Sequence, residues 1–203
     1  MKILLATQNS GKIRELSTAL KAVGITSLAQ KELGITEIPE TAITFVENAL
    51  LKARHACQQA NLPTIADDSG LVVDALQGAP GIYSARYAGA QANAQDNIKK
   101  LLTELANNEN RQAFYYCVLV YVSHPEDPAP LICEGLWQGS ILEQPVGDQG
   151  FGYDPIFYVP SENKSAAQLS LELKNRISHR GQALRLLLKK LPEKLCQHSM
   201  SKI

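Results

Sequence analysis

Two segments carry side chains suited to holding a flat base. Residues 171–181 read Leu-Glu-Leu-Lys-Asn-Arg-Ile-Ser-His-Arg-Gly, and upstream lies Gly150-Phe151-Gly152-Tyr153-Asp154-Pro155. A heteroaromatic base is held by an aromatic face and a few fixed donors or acceptors along its edge. Phe151 offers the face, Asp154, Lys174, His179 and Arg180 offer edge groups, and Gly152 and Tyr153 sit among them, so the two segments read together as a purine pocket. A third segment, Thr7-Gln8-Asn9-Ser10-Gly11-Lys12, follows a short apolar run. That order suits a strand turning into a helix whose free N–H groups meet an anion. It is not a P-loop, because the G-x-x-x-x-G-K-[ST] pattern is absent. A plain helix N-cap with a solvated Lys12 is the competing reading.

Asp67-Asp68-Ser69-Gly70 places two carboxylates side by side with no basic neighbour in sequence, an arrangement that repels unless a cation is present. With Glu40 as a further oxygen donor, and a polyphosphate as ligand, the hard donors point to Mg²⁺. The alternative is a structural turn. Asn48 and Lys52 stand four residues apart and share a helix face. Lys52 taken alone equally suits a surface lysine, and His179 a satisfied core histidine.

These groups need elements to position them. Apolar spacing predicts a strand over Lys2–Ala6 and helices over Asn9–Val23, Phe45–Ala60, Ala94–Leu105 and about Arg180–Leu191, the last closed by Pro192. Thr44 with Glu47 reads as a capping box. Thr64–Asp67 and Leu71–Leu76 read as two strands joined by a tight hairpin, with Asp68 at its exposed bend. Gly78–Gly89 is expected as an ordered loop, Phe114–Val122 as the central strand, Leu131–Leu142 as its neighbour and Ile156–Val159 as a short strand. Gly135 and Gly139 suggest a bulge or close backbone approach. The expected fold is α/β: one domain over residues 1–203, with two lobes around a central mixed, elongated β-sheet, an active-site cleft between them, and a loose tail over 192–203.

The 203 residues are 45% hydrophobic, enough for a sizeable core, and 20 basic side chains balance 20 acidic ones. That balance argues against nucleic acid as a partner. The apolar run Ile3–Ala6 is too short for a signal peptide or membrane span, so a soluble cytoplasmic protein is expected. Cys57, Cys117, Cys133 and Cys196 form no C-x-x-C pair, which disfavours a zinc site or disulfide framework. The first three lie in apolar-periodic segments and are expected to be buried.

The chain resembles the inosine triphosphate pyrophosphatase family, in its bacterial form, over residues 1 to about 191. The resemblance rests on Thr7-x-Asn9-x-x-Lys12, Thr44-Phe45-x-Glu47-Asn48-Ala49, Ala66-Asp67-Asp68-Ser69-Gly70-Leu71, Gly78-Ala79-Pro80-Gly81-Ile82-Tyr83-Ser84-Ala85-Arg86, Gly150 to Pro155 and Ser178-His179-Arg180. It implies a two-lobed homodimer that uses Mg²⁺ to hydrolyse nonstandard purine nucleoside triphosphates (dITP, ITP, XTP) to monophosphate and pyrophosphate. By the matching motifs, Thr7, Gln8, Asn9, Ser10, Gly11, Lys12 and Lys52 would hold the triphosphate. Glu40 and Asp68 would hold the metal, Asp68 would also deprotonate the attacking water, and Ser69 would contact substrate. Phe151 would stack on the base, with Gly152 and Tyr153 beside it, while Asp154, Lys174, His179 and Arg180 would address its edge or the ribose. Two positions depart from the pattern: Ala42 stands where glycine is common, and Leu173 where an acidic residue is usual. Two rival functions stay open at this point, a non-hydrolysing purine-nucleotide sensor and a related pyrophosphatase acting on dTTP and UTP.

Overall fold

The computed structural model describes residues 1–200. Seven strands form one open, mixed sheet in the order β2-β1-β3-β4-β5-β6-β7, with helices around it. The chain opens with β1 (Lys2–Ala6), α1 (Ser10–Ala22), β2 (Thr26–Ala29) and α2 (Phe45–Ala60). Both β2 and β3 (Thr64–Val73) pair parallel to β1. Ala94–Glu104 forms α3, Gln112–Val122 β4 and Leu131–Ile141 β5. Phe157–Val159 (β6) and Lys164–Ser165 (β7) add antiparallel strands beyond β5. The chain then runs through α4 (Leu171–Ile177) into α5 (His179–Met200).

The chain divides into two compact units. The first comprises Met1–Asp68, Cys117–Glu134 and the chain from Ala183 on; the second comprises Ser69–Tyr116 and Gly135–Gln182. Each has its own apolar cluster. In the first, Ile3, Leu5, Leu16, Leu20, Leu119 and Leu187 pack together; in the second, Leu71, Leu101, Tyr115, Trp137, Ile156 and Phe157 do so.

Local signals explain much of this. Asn9 caps α1 by accepting from the N–H groups of Gly11 and Lys12 at 3.0 and 3.1 Å. Thr44 caps α2 by accepting from Glu47 N, and its hydroxyl donates to the Glu47 carboxylate at 2.6 Å. As expected, β4 occupies the middle of the sheet, and Cys57, Cys117 and Cys133 are buried. Gly139 answers a close approach: a Cβ there would stand 2.3 Å from the Tyr158 carbonyl oxygen and 2.6 Å from the Phe157 ring.

Two expectations fail. The hairpin at Asp67–Gly70 does not exist, because Thr64–Val73 is one continuous strand in which Asp68 is buried. Its register with β1, Ala6 opposite Ala66, and the pairing of both carboxylates with lysines outweigh the turn propensity of Asp-Asp-Ser-Gly. Nor does Pro192 end the last helix, since α5 runs through it to Met200 and replaces most of the expected tail, of which 201–203 lie outside the described residues. Beyond Pro192, Leu195 packs on the first unit's apolar cluster and Lys194 pairs with Asp127, contacts that offset the missing helix hydrogen bond. Among the described residues, no helix is long and apolar enough to cross a membrane.

Candidate functional site

In the first unit, the parallel register of β1 and β3 brings the Thr7–Lys12 turn beside Asp67. Lys12 reaches the buried Asp67 carboxylate at 2.6 Å and is mostly buried itself, so it is not the solvated helix lysine of the competing reading. Thr7 accepts from Asn9 N at 3.3 Å, while Gln8, Ser10 and Gly11 are exposed at the start of α1. Asn9 spends its amide oxygen on the helix cap.

One strand position further, Asp68 meets a different lysine. Successive strand residues face opposite sides, and Lys52, from α2, lies 3.3 Å from Asp68 and 2.6 Å from Glu40. The cation missing from the local sequence around the acid pair is thus supplied by ammonium groups from α1 and α2. Burial pushes the Asp68 carboxyl above its usual range; Lys52 opposes this, and the negative charges of Glu40 and Asp67 add to it. Burial alone would lower the Lys52 ammonium, but Asp68, Asp67 and Glu40 together hold it above its ordinary value. Ser69 is the next residue along β3 and is partly buried.

Asn48, buried on α2, holds the backbone of the Glu40 loop. Its amide oxygen accepts from Ala42 N at 3.0 Å and its amide nitrogen donates to Ala42 O at 3.5 Å. Ala42 has no left-handed φ, so alanine sits there without strain and the Glu40 carboxylate still reaches Lys52. The i,i+4 spacing signalled that Asn48 and Lys52 act on the same region; the clamp on Ala42 was invisible in sequence.

The second unit holds the aromatic group. Gly150-Phe151-Gly152 forms a bend in which both glycines take left-handed φ, 83° and 60°. A Cβ on Gly150 would meet the Asp154 carboxylate at 2.2 Å. Asp154 is buried and accepts from Phe151 N at 2.7 Å, from Lys174 Nζ and, at 3.4 Å, from the Tyr115 hydroxyl. Phe151 is 60% exposed, with Lys174 Nζ 4.5 Å and the Arg180 guanidinium 5.7 Å from its ring centre. A largely exposed aromatic ring with two cations over its face suits an electron-rich ring bearing oxygen acceptors. The Tyr153 hydroxyl donates to Ser84 O at 2.9 Å, tying this bend to the 3-10 helix Gly81–Arg86. Leu173, the second departure, packs on the apolar cluster and leaves the Lys174–Asp154 pair intact. His179 and Arg180, at the start of α5, are both buried.

The structure therefore gathers Lys12, Glu40, Lys52 and Asp68, with Asp67, in the first unit, and Phe151, Asp154, Lys174, His179 and Arg180 in the second. Sequence reasoning missed Asp67 as the partner of Lys12. Tyr115, on β4, and Trp137, on β5, belong to none of the motifs, so no signal in the sequence singles them out.

An open mixed sheet, two adjacent strand carboxylates paired with lysines from α1 and α2, and, in the second unit, an exposed aromatic bend beneath two cations define an α/β protein with groups suited to phosphate and to an aromatic ring. The chain belongs to the Ham1 family, which it matches over residues 3–190. It is 58% identical over 189 residues to a dITP/XTP pyrophosphatase of Shigella flexneri, covering 92% of this chain and 96% of that protein. Among solved structures it is similar to a HAM1 protein from Coxiella burnetii, with TM-score 0.92 and 49% identity over 95% of this chain and 99% of that one. It is also similar to a nucleoside-triphosphatase / dITP/XTP pyrophosphatase from Mycobacterium abscessus, with TM-score 0.79 and 41% identity over 93% and 99% of the two chains. The resemblance drawn from the motifs holds across nearly the whole chain.

Proposed function

We propose that this protein hydrolyses nonstandard purine nucleoside triphosphates, dITP and XTP among them, to the nucleoside monophosphate and pyrophosphate. The observation that carries the reading is the 58% identity, over 92% of the chain, to a dITP/XTP pyrophosphatase. A purine triphosphate has a polyanionic end and an aromatic end, and each residue group described above suits one of them. Lys12 and Lys52 neutralise phosphate charge, and both now rest on carboxylates they would exchange for, or share with, phosphate oxygens. Asp68, buried beside Lys52, is the base for the attacking water, and Ser69 follows it on the strand. Phe151 offers the stacking face; Lys174, Arg180 and His179 supply donors for a 6-oxo purine, which the 6-amino group of adenine cannot satisfy.

The donor set fits Mg²⁺. Glu40 and Asp68 are hard oxygen donors that converge on one cationic position, now taken by the Lys52 ammonium. Among the described residues no group of three or more acid, histidine or cysteine side chains makes a metal cage. The two carboxylates suit an ion which keeps several waters and is held by one or two carboxylates plus substrate phosphates. Such an ion would neutralise charge on the phosphates and lower the pKa of a bound water. A cytoplasmic location, expected from the sequence reading, and a homodimeric state, implied by the motif resemblance, complete the reading.

A panel of nucleoside triphosphates, with separate detection of pyrophosphate and orthophosphate, with Mg²⁺ and with a chelator, tests the reading. Pyrophosphate from dITP and XTP but little from dATP, abolished by the chelator, is the expected result. Orthophosphate as first product would refute the cleavage site. Tight dITP binding without turnover would favour the nucleotide sensor, and preferred release from dTTP or UTP the pyrimidine enzyme.

A further inference from the structure

Behind the base-binding residues of the second unit lies a stack of rings that the reaction itself does not require. The Tyr115 ring lies face to face with the His179 ring, 4.7 Å between centres and 9° from parallel. Trp137 lies nearly parallel to both, 6.3 Å from His179 and 6.2 Å from Tyr115, and Phe157 packs against Tyr115 and Trp137 at 4.6 and 5.2 Å. All four rings are buried, His179 and Tyr115 at 6% and 8% exposure. An imidazole has two-fold freedom about its terminal torsion, and a flat neighbour pressed on its face removes most of that freedom. The Tyr115 hydroxyl also touches Asp154, the partner of Lys174, but at 3.4 Å that hydrogen bond is long and weak.

We propose that Tyr115, backed by Trp137, is a positioning residue for base selection: it fixes the plane of His179, and does so through its ring and not its hydroxyl. The proposal rests on the reading that His179 addresses the base edge. A ring plane fixed in advance aims the imidazole nitrogens at one set of edge atoms, so a purine with the wrong 6-substituent finds no adapted partner. The consequence is for discrimination between bases, with the polyphosphate grip in the first unit left alone.

The test compares wild type, Tyr115→Phe, Tyr115→Leu, His179→Ala and the double variant Tyr115→Leu/His179→Ala. Hydrolysis of dITP by the wild type checks the function itself. The ratio of dIMP to dAMP affinity, read by calorimetry, needs no turnover and checks the platform separately. Loss of one aromatic pair should lower that ratio about two- to tenfold in Tyr115→Leu. Tyr115→Phe keeps the stack and should stay within about twofold of wild type, since the lost hydrogen bond is weak. The double variant should be no less selective than His179→Ala alone, because Tyr115 acts through His179. If Tyr115→Leu does not fold, Tyr115→Met, which fills more of the space without a flat face, takes its place under the same criteria. Equal loss of both affinities, a Phe variant as impaired as Leu, or additive effects in the double variant would each overturn the proposal.

Discussion

Asp127 gives the sharpest quantitative expectation for stability. Its carboxylate is 1% exposed and accepts from Ser123 N at 3.0 Å, Ser123 Oγ at 2.7 Å and Ala129 N at 3.0 Å, with Lys194 Nζ at 3.6 Å. Burial would raise its pKa, but these donors and the ammonium bring it down from 3.8 to about 2. A depressed native pKa means that the unfolded chain binds the proton more readily, so the charged side chain stabilises the fold above its unfolded pKa. That drop corresponds to about 2.5 kcal/mol at neutral pH, or roughly 5–10 °C in Tm for a chain of this size. By the same linkage about half of it is gone at pH 3, most of it at pH 2, and the rest as pH falls further below the native pKa. Asp127→Asn keeps one acceptor oxygen, loses the charge and turns donors toward donors. Urea unfolding from pH 7 to pH 3 should show the variant about 2 kcal/mol less stable at pH 7, with the gap closing as pH falls. A gap that does not change with pH, or one under about 0.5 kcal/mol at pH 7, would refute the assignment of that stability to the charged carboxylate.

Three further outcomes are expected. Asp68→Asn should lower kcat for dITP by about 10² to 10⁴-fold, the range for loss of a general base, while dITP still binds; near wild-type kcat would leave Asp68 a structural residue. Gly150→Ala forces alanine into φ 83° and drives a methyl into the Asp154 carboxylate, so the Lys174–Asp154 pair must shift. The left-handed backbone alone costs about 1–2 kcal/mol, and KM for dITP should rise; unchanged KM and Tm would show that the bend tolerates the side chain. Gly139→Ala places a methyl against the Tyr158 carbonyl and the Phe157 ring, a clash costing about 1–3 kcal/mol by the usual penalty of overpacking, visible as a lowered unfolding midpoint.

Sequence alone determined the parts governed by near neighbours along the chain. Helix α2 begins at Phe45 and ends at Ala60 as spacing and the Thr44 cap predict, because a capping contact spans only three residues. The central place of β4 followed from its unbroken apolar run. The residue types that could handle a base and a polyphosphate were legible too, since motifs list them in order. Tertiary structure decided who meets whom. Asp67 and Asp68 look like a turn locally, yet they lie in a strand because β1 pairs alongside and lysines from two helices neutralise them. Pro192 looks like a helix end, yet α5 continues, because Lys194 and Leu195 find partners far away in sequence. Tyr115 reads as one more apolar strand residue until His179, brought from the start of α5, lies flat against its ring. Coulomb and ring-stacking forces act over a few ångströms of space whatever the separation along the chain, so a linear pattern holds the groups but not their pairing.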